Sequence, residues 1–239
     1  MVCAILTCAG AGTRMNTRTP KAFIPFYGKP LFFHALNALH SSAVFDQIIV
    51  AVPQERLVYA EKKIREWKMD EAIAIRGGKE RQETVYLALC QLPSDTGYVL
   101  IHDGARPFAT PDLVRRTIRA ARRWDAATAA VPCTDTLKTA KESLVQATLD
   151  RSGVFLIQTP QAFRYDIILK AHKKARIDNF IATDDASLIE RIRHKVRIVQ
   201  GSRWNIKITT PEDLKIAETL APNLLPLISN AKAENNVTK

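Results

Sequence analysis

No apolar run in this chain approaches the roughly 20 residues that a membrane span needs. No charged leader followed by a cleavable apolar segment opens it, so a cytoplasmic protein with no membrane partner is expected. Cysteine is scarce. The four thiols, Cys3, Cys8, Cys90 and Cys133, form no C-x-x-C pair, which removes a zinc ribbon or a thiol–disulfide motif and leaves buried free thiols as the expectation. Acidic residues fall short of basic ones, 24 against 35, and the formal charge is +11. Aromatic residues make up 7%, and the basic residues are spread along the chain without an aromatic-interleaved block. A nucleic-acid partner is therefore not expected. Internal repeats and low-complexity segments are also missing.

The 239 residues suffice for one large core. Apolar runs alternate with helical patterns. Strands are expected at Val2–Cys8, 47–52, 72–76, 98–102, 126–131, 196–199 and 205–208. Helices are expected from Pro30, over 54–68 and 80–92, from Pro111 to about Trp124 behind a Thr110 cap, over 165–175 and 184–194, and from Pro211 to about Leu220. This βαβ rhythm predicts an α/β fold, a doubly wound, mostly parallel, Rossmann-like sheet. Such sheets bind ligands beyond the carboxyl ends of their strands. Residues 133–153 break the rhythm. Val145, Ala147 and Leu149 alternate with polar neighbours, which predicts an extended β-arm or hairpin. Alone, such a hairpin is marginal in water. Pairing with the same arm of a second copy would order it, so a homodimer through 133–153 is expected.

The first strand runs into Ala9-Gly10-Ala11-Gly12-Thr13-Arg14, and Lys21 follows behind Pro20. Glycines at a strand end let backbone N–H groups approach a phosphate, and Arg14 and Lys21 add a fork and a point charge to the same anion site. The loop is not a Walker A sequence, and it lacks the third glycine of the dinucleotide fingerprint. Further along stand Gly77-Gly78-Lys79-Glu80-Arg81-Gln82-Glu83-Thr84, His102-Asp103-Gly104-Ala105-Arg106-Pro107, Thr134-Asp135-Thr136-Leu137-Lys138, Asp150-Arg151, Thr159-Pro160-Gln161, Thr183-Asp184-Asp185-Ala186 and Asn205-Ile206-Lys207-Ile208-Thr209. Singly each has a plain structural reading: a turn, an Asp103–Arg106 ion pair, a helix cap at Thr183 or Asp184, a solvated lysine.

Together, from residue 4 to about 217, these strings resemble the 2-C-methyl-D-erythritol 4-phosphate cytidylyltransferases. The resemblance implies a single nucleotidyltransferase domain over 1–228 that includes the 133–153 arm, with a polar tail over 229–239. It implies an enzyme that joins CTP to 2-C-methyl-D-erythritol 4-phosphate with release of pyrophosphate, in non-mevalonate isoprenoid synthesis. Arg14 and Lys21 would be catalytic. Ala9, Gly10, Ala11, Gly12, Gly77, Gly78, Thr84, Asp103, Ala105 and Lys207 would bind CTP. Arg106, Thr136, Arg151, Thr183 and Lys207 would position the polyol phosphate, with Arg151 acting in its own site or in a partner's. Mg²⁺ or another divalent cation would accompany the triphosphate, its protein ligands left open. An aspartate at a strand's carboxyl end, as Asp103 is, can bond a ribose or substrate hydroxyl, or hold such an ion or its waters, and the metal role is not the favoured one. Three positions depart from the family pattern: Thr84 for the usual Ser, Gly104 for a common Ala, and Asp185 where Glu is frequent. Ribitol 5-phosphate cytidylyltransferases look alike over Gly104 to Phe108, and Thr136 with Lys138 leans towards the isoprenoid enzyme.

Overall fold

The computed structural model describes residues 1–10 and 19–229. In chain order the elements are β1 (Val2–Thr7), β2 (Pro25–Phe26), β3 (Lys29–Pro30), α1 (Leu31–Ser42), β4 (Gln47–Val52), α2 (Leu57–Glu66), β5 (Ala72–Arg76), α3 (Arg81–Leu89) and β6 (Tyr98–Asp103). There follow α4 (Pro111–Trp124), β7 (Ala126–Pro132), β8 (Leu137–Lys141), β9 (Leu144–Leu149), β10 (Phe155–Arg164), α5 (Tyr165–Ile177), α6 (Asp185–Arg191), β11 (Arg197–Gln200) and α7 (Pro211–Ser229). Seven strands form one sheet in the order β11-β7-β10-β6-β1-β4-β5. All pairings are parallel except those of β10, which runs antiparallel to both β6 and β7.

Both faces of the sheet are covered, as the unbroken apolar runs of β1 and β4 require. Alternate side chains of β1 explain how. Val2, Ala4 and Leu6 join Phe32, Leu36, Ile64, Leu113 and Ile118 from α1, α2 and α4. Cys3 and Ile5 point the other way and join Val85, Leu89, Ile168 and Leu188 from α3, α5 and α6. Helix α7 closes a third cluster, where Ala217, Ala221 and Ile228 meet Phe26, Leu31 and Phe108. The loops after β1 and β6 therefore emerge at one edge, between the two helical layers.

Four expectations need correction. Residues 155–164, left without an element by the sequence pattern, form the longest strand of the sheet. Residues 205–208 are not a strand; there Ile208 N–H donates to Ala105 O at 2.9 Å. Helix α7 does not stop near Leu220 but runs through Pro222 and Pro226 to Ser229, held by the burial of Ala221 and Ile228. Cys90 is exposed, while Cys3, Cys8 and Cys133 are buried as expected. It follows Leu89 at the end of α3, about 100° further round the helix and off the buried face. The positive charge is also less evenly spread than expected. Arg115, Arg116, Arg119, Arg122 and Arg123 all lie on α4, and of these only Arg116 has a carboxylate partner, Asp112, among the described residues.

The 133–153 segment does form a hairpin, β8 paired antiparallel with β9, and it joins no other sheet. Every residue of β9 is exposed. Residues 230–239, most of the expected tail, lie outside the described residues, as do Ala11, Gly12 and Arg14. No helix among the described residues is long and apolar enough to cross a membrane.

Candidate active site

Asp103 ends β6, and three cations converge on its carboxylate. Arg81 Nε lies 3.0 Å from Oδ1, Lys207 Nζ 2.8 Å from Oδ2, and Arg106 Nε 3.6 Å from Oδ2. Each cation comes from a different part of the chain: the start of α3, the loop after β6, and the 205–209 segment. Burial alone would raise the Asp103 carboxyl, but Arg81, Lys207 and Arg106 outweigh it and hold it well below the usual carboxylate range. Counting Asp185, which also pairs with Arg81, two negative charges face three positive ones, a surplus that suits anionic ligands.

Two hollows share this cluster. The first, of about 350 Å³, is walled by Ala9 and Gly10 after β1, by Lys21, by Arg81 and Thr84 of α3, and by Asp103, Ala105 and Lys207. The second, of about 290 Å³, is walled by Arg81, Asp103, Arg106 and Lys207, by Gln158 and Thr159 of β10, and by Thr183. Arg81, Asp103 and Lys207 thus belong to both.

The Gly77-Gly78 turn is built by close approach. A Cβ on Gly77 would lie 2.3 Å from Ala9 Cβ, and one on Gly78 would lie 2.5 Å from Glu83 Cγ. The turn therefore packs directly on the loop after β1. Thr84 fixes it from beneath. Its hydroxyl accepts from Gly78 N–H at 3.0 Å and donates to Glu80 O at 2.9 Å. The hydroxyl that Thr shares with Ser makes these bonds, so the first departure keeps the family chemistry.

The second departure has a steric cause. A Cβ on Gly104 would lie 2.5 Å from Cys8 Sγ, so the Cys8 side chain and the absent side chain at 104 are two halves of one fit. Arg106 is buried, donating Nη1–H to Asn205 O at 2.7 Å. Thr159 Oγ1 accepts from Asp103 N–H at 3.0 Å and lies 2.9 Å from His102 Nδ1. Burial pushes the His102 imidazole down to about 4, so it is neutral at pH 7. Asp184, not Thr183, caps α6, accepting from Ser187 N–H at 3.0 Å.

Of the residues expected at the site, Ala9, Gly10, Lys21, Thr84, Asp103, Ala105, Arg106, Thr183 and Lys207 come together around these hollows. Gly77 and Gly78 line an adjoining depression with Ala9 and Lys79. Thr136 and Arg151 do not join them. Both sit exposed on the arm, where an Arg151 Nη1–H bonds to Thr134 O. Arg81, Asn205, Gln158 and Thr159 are the members that pattern reasoning did not select. Arg81 was visible as the cation opening a helix behind a Gly-Gly turn, and Asn205 and Thr159 lay inside strings already singled out.

Among the described residues no cluster of His, Cys, Asp or Glu could cage a metal ion. Both oxygens of Asp103 already face cations. The protein groups present do not by themselves fit a resident Mg²⁺.

Comparison with known proteins agrees with this geometry. The family model described as 2-C-methyl-D-erythritol 4-phosphate cytidylyltransferase matches residues 2–222. Proteins of that name from Pelotomaculum thermopropionicum and Clostridium novyi are 45% identical over 222 residues and 40% over 225. These alignments cover 92% and 93% of this chain and 93% and 97% of the relatives. Among solved structures, 4-diphosphocytidyl-2C-methyl-D-erythritol synthase from Anaerococcus prevotii superposes with a TM-score of 0.82 at 30% identity, covering 93% of this chain and 98% of that one. The Thermus thermophilus 2-C-methyl-D-erythritol 4-phosphate cytidylyltransferase gives 0.76 at 34%, covering 91% and 98%. A sheet covered by helices on both faces is the fold these solved structures share, and the match over 2–222 settles its family: the chain belongs to the 2-C-methyl-D-erythritol 4-phosphate cytidylyltransferase family.

Proposed function

We propose that the two hollows are the nucleotide and acceptor halves of one cytidylyltransferase site. The enzyme joins CTP to 2-C-methyl-D-erythritol 4-phosphate, giving 4-diphosphocytidyl-2-C-methyl-D-erythritol and pyrophosphate, a step of isoprenoid precursor synthesis. Family membership over 2–222 supports this substrate pair and disfavours ribitol 5-phosphate. An acceptor phosphate oxygen attacks the α-phosphorus of CTP in line. The new P–O bond forms as the bond from the α-phosphorus to its bridging oxygen breaks, and the electron pair leaves on pyrophosphate. The attacking oxygen is already anionic, so no general base is needed and catalysis reduces to positioning and charge stabilisation.

The observation that carries this reading is the shared wall. Arg81 and Lys207 flank both hollows, where their charges offset repulsion between two approaching anions. Lys21, with Arg14, takes the α-phosphate and its developing charge. Ala9 and Gly10 take the triphosphate, a role the resemblance gives to Ala11 and Gly12 as well. The Gly77-Gly78 turn meets the cytosine edge, Thr84 holds that turn, and Asp103 and Ala105 lie beside the ribose. Arg106, Lys207 and Thr183 face the polyol phosphate. A divalent cation such as Mg²⁺, for which the described residues offer no cage, would supply charge neutralisation to the triphosphate.

The arm belongs to the same proposal. Leu144 and Val145 are 68% and 65% exposed, an apolar surface that two hairpins of a homodimer would cover. Arg151 and Thr136 then reach the partner's acceptor side. A single domain over 1–228 and a cytoplasmic location complete the reading. The test is pyrophosphate release with CTP and each polyol phosphate. Preference for 2-C-methyl-D-erythritol 4-phosphate is expected, together with loss of turnover in a folded Lys21→Ala variant. Preference for ribitol 5-phosphate would overturn the acceptor assignment, and near-normal Lys21→Ala turnover would remove the role of that lysine.

A further inference from the structure

Behind the cleft a line of polar groups leads away from the substrates. Arg81 contacts Asp103 with Nε and reaches Asp185 Oδ2 with Nη1 at 2.7 Å. The other oxygen of that carboxylate, Oδ1, lies 3.1 Å from His172 Nε2. His172 and Asp185 are 0% and 1% exposed. His172 lines neither hollow and has no part in the transfer described above.

The direction of these bonds follows from charge. Burial would raise the Asp185 carboxyl, but the Arg81 guanidinium and the His172 hydrogen bond outweigh it and keep it below the usual carboxylate range. An ionised carboxylate only accepts, so His172 Nε2 donates. The opposite nitrogen, Nδ1, has no partner among the described residues. An apolar ring would fill the same space without leaving a buried nitrogen unmet. What the imidazole adds is the single Nε2–H bond to Asp185.

That bond matters because Arg81 is a long side chain on the first residue of α3, and among the described residues its side-chain hydrogen bonds go to two carboxylates, Asp103 and Asp185. If Asp185 Oδ1 loses its donor, the carboxylate can turn, and Arg81 then has one firm anchor instead of two. Asp103 and Lys207 are next in line. We propose that His172 is a positioning residue for the transfer reaction, holding Asp185 so that Asp185 holds Arg81 across the wall the two hollows share. This rests on the reading of the cleft given above.

Two variants of similar bulk separate positioning from packing. His172→Phe keeps the ring and loses the donor; His172→Gln places an amide N–H at a comparable reach. Expected is a fall in kcat of about tenfold or more in His172→Phe, the size typical of lost support behind a site, with the CTP KM changed by less than about threefold. His172→Gln should return to within about threefold of wild type. A hollow of about 470 Å³, bounded by Gln82, Tyr86, Arg176 and Ile181, adjoins the ring, so imidazole should enter a His172→Gly variant and restore turnover. Thiophene, of like shape but without N–H, should not. An activity-free measurement is the Arg81 Nε–H signal in side-chain nitrogen NMR, expected sharp and protected in wild type and His172→Gln, and broadened in His172→Phe. Wild-type kcat and an unchanged Arg81 signal in His172→Phe would overturn the proposal, as would equal impairment in His172→Gln or equal rescue by thiophene. If wild type made no product from the two substrates, the reading of the cleft would fail, and the Arg81 signal would still decide the relay.

Discussion

Lys207 Nζ and Asp103 Oδ2 stand 2.8 Å apart at the seam of the two hollows. Their charges have different duties. Asp103 is structural to the cluster, because without it Arg81, Arg106 and Lys207 face one another unbalanced. Lys207 is the more exposed partner, at 36% against 6%, and is the one proposed to meet a ligand.

The first prediction separates these duties. Breaking a fully buried ion pair from one side costs about 3–5 kcal/mol. Arg81 and Lys207 are partly solvated, which brings the expected loss in Asp103→Asn down to about 2 kcal/mol. Lys207→Ala leaves Asp103 paired with two arginines and should cost less than about 1 kcal/mol, while turnover falls by about 100-fold. Urea unfolding and steady-state kinetics measure the two effects.

Acid should destabilise the protein in two stages. The His102 imidazole is pushed down to about 4 by burial, whereas an unfolded histidine titrates near about 6.5. Between these values the unfolded chain takes up a proton that the folded chain refuses. Stability is therefore complete above about pH 6.5 and falls by up to about 3 kcal/mol as pH drops through the folded value. The carboxyls of Asp103 and Asp185 are also lowered. Their contribution is complete above the unfolded carboxylate value, about pH 4, and is lost below it. Urea midpoints recorded from pH 7 to 3 should show both stages, and His102→Gln should abolish the upper one.

Gly104 and Cys8 should be coupled. Gly104→Ala drives a methyl into Cys8 Sγ, and overpacking of this kind costs about 1–3 kcal/mol. Cys8→Ala opens the space, so the double variant should be more stable than Gly104→Ala alone. A coupling energy above about 0.5 kcal/mol in the double-mutant cycle is the expected result.

Thr84→Val removes the hydroxyl that holds Gly78 N–H and Glu80 O. The CTP KM should rise by about tenfold, the worth of roughly one net hydrogen bond. Thr84→Ser should stay within about twofold. Equal KM values in Val and Ser variants would remove the turn from nucleotide binding.

Replacing residues 137–149 by a short glycine-serine turn should give a folded monomer in light scattering with little transferase activity. A dimer that persists without the hairpin would overturn the arm as the exchanged element.

The parts of the fold legible in the sequence were those where one physical effect dominates. Strands β1, β4, β5 and β6 are apolar or alternating runs stopped by Gly, Pro or a turn, and α4 carries its cap in Thr110, whose hydroxyl accepts from Leu113 N–H at 3.2 Å. Strand β10 was hidden because Gln158, Thr159, Pro160 and Gln161 interrupt it. Its register with β7 shifts between Ile157 and Gln161, and the polar side chains there bond to the site instead of packing in a core. Thr159 holds Asp103, and Gln158 Oε1 accepts from Asn205 Nδ2–H at 3.2 Å. Local rules failed at the strand that serves the chemistry. The site was legible as a set of cations and glycines. Its hub was not, because which carboxylate gathers which cation depends on tertiary approach. Thr136 and Arg151 sit on the arm, and nothing among the described residues brings them to the hollows.

The antiparallel course of β10 has a further consequence. It lets one uninterrupted stretch, from the end of β7 through the arm to α6, supply most of the second hollow, while the first is drawn mainly from residues before 110. On the proposed division of the cleft, nucleotide and acceptor are met largely by separate passages of the chain, joined at Arg81, Asp103 and Lys207, with Arg106 the one acceptor-side residue from the earlier passage. If that division holds, changes confined to the later passage should alter the choice of polyol phosphate and leave the handling of CTP intact.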